Sequence, residues 1–158
     1  MIRWAVPSDV PAIHDLIVEL AEFENEPEAV ESAPKDLVAA LFGDQPALFC
    51  HVAESDDGEV VGFALWFVNY STWLGKHGIY LEDLCVRSDF RGRGIGGALL
   101  ARLARICIER GYRRLEWWVM DAPSMRPSWK FYESQGARAD RKSTRLNSSH
   151  SSVSRMPS

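Results

Sequence analysis

The chain has 158 residues, 46% of them hydrophobic, and its 18 Lys and Arg against 22 Asp and Glu give a formal net charge of −4. This is the length of one domain with enough apolar residues for a buried core, and the acidic balance argues against a nucleic-acid surface while tolerating a cationic substrate. Cys50, Cys85 and Cys107 are widely spaced within apolar runs, which predicts reduced core thiols of a cytoplasmic protein, with neither disulfide nor metal site. An amino-terminal signal segment and an apolar run near ~20 residues are both lacking, so neither secretion nor membrane spanning is expected.

In chain order, Ile2 to Val6 suits a short strand, and Ser8 is placed to cap a helix whose Ile13, Leu16, Ile17 and Leu20 follow helical spacing. Ser32 and Pro34 start a second helix carrying Leu37, Val38, Leu41 and Phe42, ended by Gly43. Residues 48–54 and 59–70 are β-rich runs joined by Ser55-Asp-Asp-Gly58, a hairpin signature. A strand over 79–86 follows. A long helix then carries Ile95, Leu99, Leu103 and Ile106 on one face and stops at Gly111. Residues 114–120 form another strand, and 127–135 a short helix closed by Gly136. Residues 140–158 are rich in Ser and Arg and show neither strand nor helix periodicity, so they are expected to stay unfolded.

The most informative stretch is 82–97, where an apolar strand runs through a glycine-rich turn into the long helix. Gly92, Gly94, Gly96 and Gly97 remove side chains where a diphosphate would approach, the first helical amides lack intrahelical partners, and Arg91 and Arg93 add charge. A nucleotide P-loop is excluded because Ala98 and Leu99 stand where Lys and Ser or Thr are needed. Gly92, Gly94 and Gly97 satisfy a dinucleotide G-x-G-x-x-G, with Glu116 about 20 residues on, but too little chain remains for the further strand–helix units of that fold.

Arg91-x-x-Gly94-x-Gly96 resembles the acyl-CoA pyrophosphate motif of the GNAT N-acetyltransferases. The segments 13–24, 73–83, the glycine turn and 131–136 resemble, in that order, the diamine (spermidine/spermine-type) branch of that family. The resemblance implies an α/β (α+β) acyl-CoA N-acyltransferase fold: a mixed, mostly antiparallel sheet flanked by helices. It implies direct transfer of an acetyl group from acetyl-CoA to a small-molecule amine, without a metal, and a homodimer. Residues 140–150 also match a translation of a common short-read sequencing adapter, and 154–158 match its continuation. The acetyltransferase domain is therefore expected over 1–139, its final strand or strands missing, with 140–158 a disordered tail; a natural disordered tail is the rival reading.

By the same resemblance, the backbone of Leu84, Cys85 and Val86 would bind pantetheine, and Arg91, Gly92, Arg93, Gly94, Ile95, Gly96 and Gly97 the pyrophosphate. Tyr132 would be the acid for the leaving thiolate and Glu82 a cation-binding group and base through water; the bland alternatives are a core tyrosine and a surface ion pair. An amine of pKa ~10.4 must lose a proton before it attacks. Phe23, Glu24, Trp73, Glu82, Asp83, Glu116, Trp117 and Trp118 match substrate-lining positions, although Trp117 and Trp118 equally suit a core. The branch's short asparagine-containing segment before the last helix is replaced by residues 121–127, which lack asparagine and are longer. A non-catalytic acyl-CoA-binding domain is the alternative class.

Overall fold

A computed structural model describes residues 1–120, 126–140 and 150–155. The chain divides into two compact units, Met1–Phe67 with Asp83–Arg102, and Val68–Glu82 with Leu103–Ser158.

The first unit contains β1 (Ile2–Trp4), α1 (Val10–Phe23), α2 (Pro34–Phe42), β2 (Phe49–Glu54), the start of β3 (Val60–Ser71), the end of β4 (Lys76–Val86) and the first turns of α3 (Ile95–Arg110). Its strand order is β1-β2-β3-β4. The antiparallel register sets Cys50 opposite Leu65 and Val52 opposite Phe63, so the four side chains share one face. Val10, Ile13 and Leu16 of α1 and Leu37 and Leu41 of α2 close over that face into one core. Each such side chain contributes about 1.5–3 kcal/mol when fully buried. Val38 was expected beside them but is 40% exposed, lying off the α2 stripe set by Leu37 and Leu41.

The expected Ser8 cap is not made: Asp9 holds the N-cap position of α1 without a side-chain cap bond, and it ties the turn before the helix. Its carboxylate accepts the Val6 amide at 2.8 Å and is gripped by Arg3 at 2.8 and 3.0 Å, while Arg3 Nε reaches Glu54 at 2.7 Å. Burial alone would raise the Asp9 pKa, but the Arg3 and Val6 hydrogen bonds hold it below the ordinary carboxylate value. The far end of α1 is closed by Asn25 at φ +60°, with Asn25 N–H on Glu22 O at 3.0 Å and Glu26 N–H on Ala21 O at 2.8 Å. This is the paired-bond helix stop that a left-handed residue permits.

The second unit has strand order β3-β4-β5-β7-β6, with β5 (Arg114–Met120), β6 (Arg138–Asp140) and β7 (His150–Arg155). α4 (Arg126–Ser134) and the later turns of α3 complete it. β4 and β5 run parallel, Gly78–Leu81 beside Arg114–Trp117, and β4 continues to Val86. Leu103, Ile106, Cys107, Ile79, Leu81, Leu115 and Trp117 are its main buried residues. α3 stops at Gly111, φ +71°, as the sequence predicts.

β7 lies within the 140–158 segment that was expected to stay unfolded, and it pairs antiparallel with β5 from Trp117↔Val153 to Met120↔His150. Strand pairing is made by main-chain groups, so a Ser-rich segment can lie between β5 and β6 without the apolar alternation by which strands are read. Residues 141–149 and 156–158 lie outside the described residues. The result is an α+β chain with a mixed, mostly antiparallel arrangement of strands flanked by helices.

Candidate active site

In the first unit β4 ends at Val86, Ser88–Phe90 make one 3-10 turn, and α3 begins at Ile95. Gly92 and Gly94 have φ of +77° and +81°, and a Cβ added at either would meet nothing within 4 Å. The turn is therefore open on the side these glycines present. Ala98 N–H bonds Gly94 O at 3.0 Å as the helix begins, which leaves the preceding amides of Ile95, Gly96 and Gly97 without intrahelical acceptors. Such amides, at the positive end of a helix dipole, bind anions.

Two exposed arginines flank the turn. Arg91 Nε donates to Val86 O at 3.1 Å, and its guanidinium stands 5.5 Å from the centre of the Phe23 ring. Arg93 lies 4.5 Å from the centre of the Phe90 ring, which Arg87 also contacts at 4.8 Å. Arg87 is bound in turn to Asp89 at 2.7 Å and Glu59 at 3.4 Å. Open glycine backbone, directed amides and two guanidinium groups fit a diphosphate such as that of CoA.

Leading into the turn, Leu84 and Val86 are half-buried and Cys85 is buried. Burial, and to a lesser degree Glu19, pushes the Cys85 thiol up to about 12, so this cysteine is core and not a nucleophile. Asp83 is half-buried, and its charge reaches Cys50 and Cys85. Glu24, past the end of α1, has its pKa raised by burial of the carboxyl and then by Glu26.

In the second unit Ile79 and Leu81 are buried while Glu82 is exposed and Tyr80 half-buried, as alternation along a strand requires. The Tyr80 phenol is raised by burial, then by Glu82 and Glu116. The Glu116 carboxylate is already engaged: it accepts Asn69 Nδ2 at 2.9 Å and pairs with Arg114 at 3.3 Å. Trp118 is 45% exposed, whereas Trp117 is 2% exposed and its indole N–H has no hydrogen-bond partner among the described residues. The Trp117 ring lies 5.0 Å from that of half-buried Tyr132 on α4. Trp73 projects from the turn between β3 and β4, 96% exposed.

Phe23, Val86 and Arg91 are thus brought together, as are Tyr132 and Trp117, and Tyr80 lies within reach of the charges of both Glu82 and Glu116. Trp73 stands out in solvent. Residues 121–125, most of the segment that departs from the diamine branch, lie outside the described residues. Three contributors escaped the sequence reading. Tyr80 was signalled by its place two residues before Glu82 on a strand; Phe90 and Asn69 carried no local signal. Among the described residues no group of three or more His, Cys, Asp or Glu could hold a metal, and no helix is long and apolar enough to cross a membrane.

The chain matches the acetyltransferase (GNAT) family over residues 11–137. It is 40% identical over 128 residues to thialysine N-epsilon-acetyltransferase of Bos taurus, covering 77% of this chain and 75% of that protein. It is 42% identical over 113 residues to spermidine/spermine N(1)-acetyltransferase-like protein 1 of Homo sapiens, covering 68% of this chain and 16% of that protein. A mutant of the BH1408 protein from Bacillus halodurans shares the fold, with a TM-score of 0.77 at 19% identity over 90% of this chain and 96% of that one. The chain therefore belongs to the acetyltransferase (GNAT) family, in a branch like the diamine acetyltransferases, and is an N-acetyltransferase.

Proposed function

We propose that this N-acetyltransferase moves the acetyl group of acetyl-CoA directly to a primary amine of a small cationic molecule, a polyamine or a lysine-like amino acid. The observation that carries the reading is the turn at Gly92 and Gly94, open beside both glycines and followed by unpaired helix amides. Its glycine backbone, with Arg91, Arg93 and the amides of Ile95, Gly96 and Gly97, holds the pyrophosphate. The main chain of Leu84, Cys85 and Val86 aligns the pantetheine arm. Acetyl-CoA supplies the activated thioester.

Glu82 takes the proton that the ammonium must lose, directly or through a water, and the amine nitrogen then forms its bond to the acetyl carbon as the carbon–sulfur bond breaks. Tyr132 gives a proton to the departing thiolate and is restored by the second proton, which the acylated nitrogen sheds, while Glu82 releases the first to solvent; Trp117 packs against the phenol ring. Acceptor choice is favoured by the names of the two relatives and by Glu22, Glu24, Glu26, Glu28 and Glu31, an exposed acidic run that attracts a cation. Phe23, Glu24, Trp73, Asp83, Glu116 and Trp118 complete the acceptor side. Cytoplasmic residence and a homodimer belong to the same reading.

Calorimetric titration with acetyl-CoA, followed by rate measurements on spermidine and a lysine analogue, tests it. Tyr132→Phe and Glu82→Gln should each lose roughly 10²–10⁴ in rate with CoA affinity kept. Full activity in both variants, or no binding of acetyl-CoA to the unaltered chain, would sink the proposal.

A further inference from the structure

Phe23 stands at the last position of α1, and its location is fixed from the backbone outward. The Asn25 stop ties the helix end through Glu22 O and Ala21 O, so the ring cannot drift as a frayed terminus would. Arg91 is fixed independently, since its Nε is spent on Val86 O at 3.1 Å. The remaining guanidinium nitrogens are those free to meet an anion. Between these two anchored groups the guanidinium carbon lies 5.5 Å from the Phe23 ring centre, within cation–π range. A ring already facing one cation is poorly placed to offer the same face to a second, because the two positive charges repel.

We infer that Phe23 is a positioning residue for Arg91, and so serves the pyrophosphate end of the site in addition to, or in place of, the acceptor amine. This rests on the acetyl-CoA reading proposed above. The consequence is a coupling: a side chain on α1, remote in sequence from the glycine turn, sets the affinity for CoA. Holding Arg91 in place before the anion arrives lowers the ordering cost of binding, which is the general effect of preorganisation.

The experiment is a double-mutant cycle read by calorimetric titration of CoA into the full chain, with no turnover involved. Phe23 is 45% exposed, so its variants should fold. Phe23→Leu is expected to weaken CoA about two- to fivefold, the range of an exposed cation–π contact. Phe23→Tyr, which keeps the ring face, should restore the affinity. In an Arg91→Gln background, itself weaker, Phe23→Leu should change nothing further. Equal loss in both backgrounds, or an unchanged CoA affinity accompanied only by a raised KM for the amine, would overturn the inference while leaving the acetyltransferase site intact. Failure of the unaltered chain to bind CoA would overturn the site reading and this inference with it.

Discussion

Gly94 and Gly111 offer a controlled comparison of backbone strain with ligand binding. Both are left-handed, at φ +81° and +71°, and a Cβ added at either would meet no atom within 4 Å. Substitution by alanine therefore introduces no steric clash in either place, only the conformational cost of an L-residue in that region, roughly 1–2 kcal/mol. For a chain of this length each kcal/mol lowers Tm by about 2–4 °C, so both variants should melt about 2–8 °C below the parent. The difference lies in what faces the new methyl. At Gly111 it enters solvent beyond the end of α3; at Gly94 it enters the open space that the proposed site leaves for a phosphate before the amides of Ile95, Gly96 and Gly97. Loss of one charge-assisted hydrogen bond is worth about 1.5–3 kcal/mol, which converts to roughly 10- to 100-fold in Kd. Scanning calorimetry and CoA titration on the same samples give both quantities. A Gly94→Ala protein that melts lower yet binds CoA as the parent does would refute the assignment of this turn. A Gly111→Ala protein that also loses CoA would refute the argument that the two effects are separable.

Two further outcomes follow from buried groups. Asp9 has a folded pKa below its unfolded value near ~3.9, so its contribution is fully present above that value and is lost as pH falls through the lowered folded one. Arg3→Gln should thus cost about 1–3 kcal/mol near pH 7, with the deficit shrinking below about pH 4; urea unfolding of both proteins across that range checks it, and a pH-independent difference would contradict the mechanism. Burial, the leading cause, raises Cys85 to about 12 and Cys107 to about 11, and Cys50 is raised as well. A thiol reagent at pH 8 should therefore label none of the three in the native chain and all of them in denaturant, and rapid native labelling would contradict the buried placement.

How far the sequence disclosed this molecule depended on how local the cause was. The helical spacing of Ile13 and Leu16, the Ser55–Gly58 hairpin and the glycine stop at 111 are set by residues within one turn of each other, and each is found where periodicity and turn chemistry put it. Ser8 and Asp9 illustrate a closer contest. Both are capable caps, yet neither side chain caps α1: that of Asp9 is drawn instead to Arg3, from another element, and to the Val6 amide. β7 was illegible for a different reason, since main-chain pairing to β5 leaves little mark on side-chain pattern. In the site, the glycine turn could be read from its residues, and Tyr132 and Glu82 only by resemblance. The meeting of Phe23 with Arg91, or of Asn69 with Glu116, depends on chain segments far apart in sequence, and no spacing rule encodes it.

The guanidinium groups around the glycine turn also differ in how ions in solution will perceive them. Arg87 is cancelled at contact distance by Asp89, with Glu59 close by, so dissolved salt finds little field there to screen. Arg91 and Arg93 make no ion pair among the described residues; their neighbours are the rings of Phe23 and Phe90, which attract a cation without neutralising it. The field an anion would meet there is thus mainly that of Arg91 and Arg93, the latter partly offset by Asp89. Those two lie in the open, where the Debye length of about 10 Å at 0.1 M shortens to about 3 Å at 1 M. The attraction is therefore adjustable by ionic strength, while the hold proposed for the backbone amides depends on fixed geometry and responds less to salt.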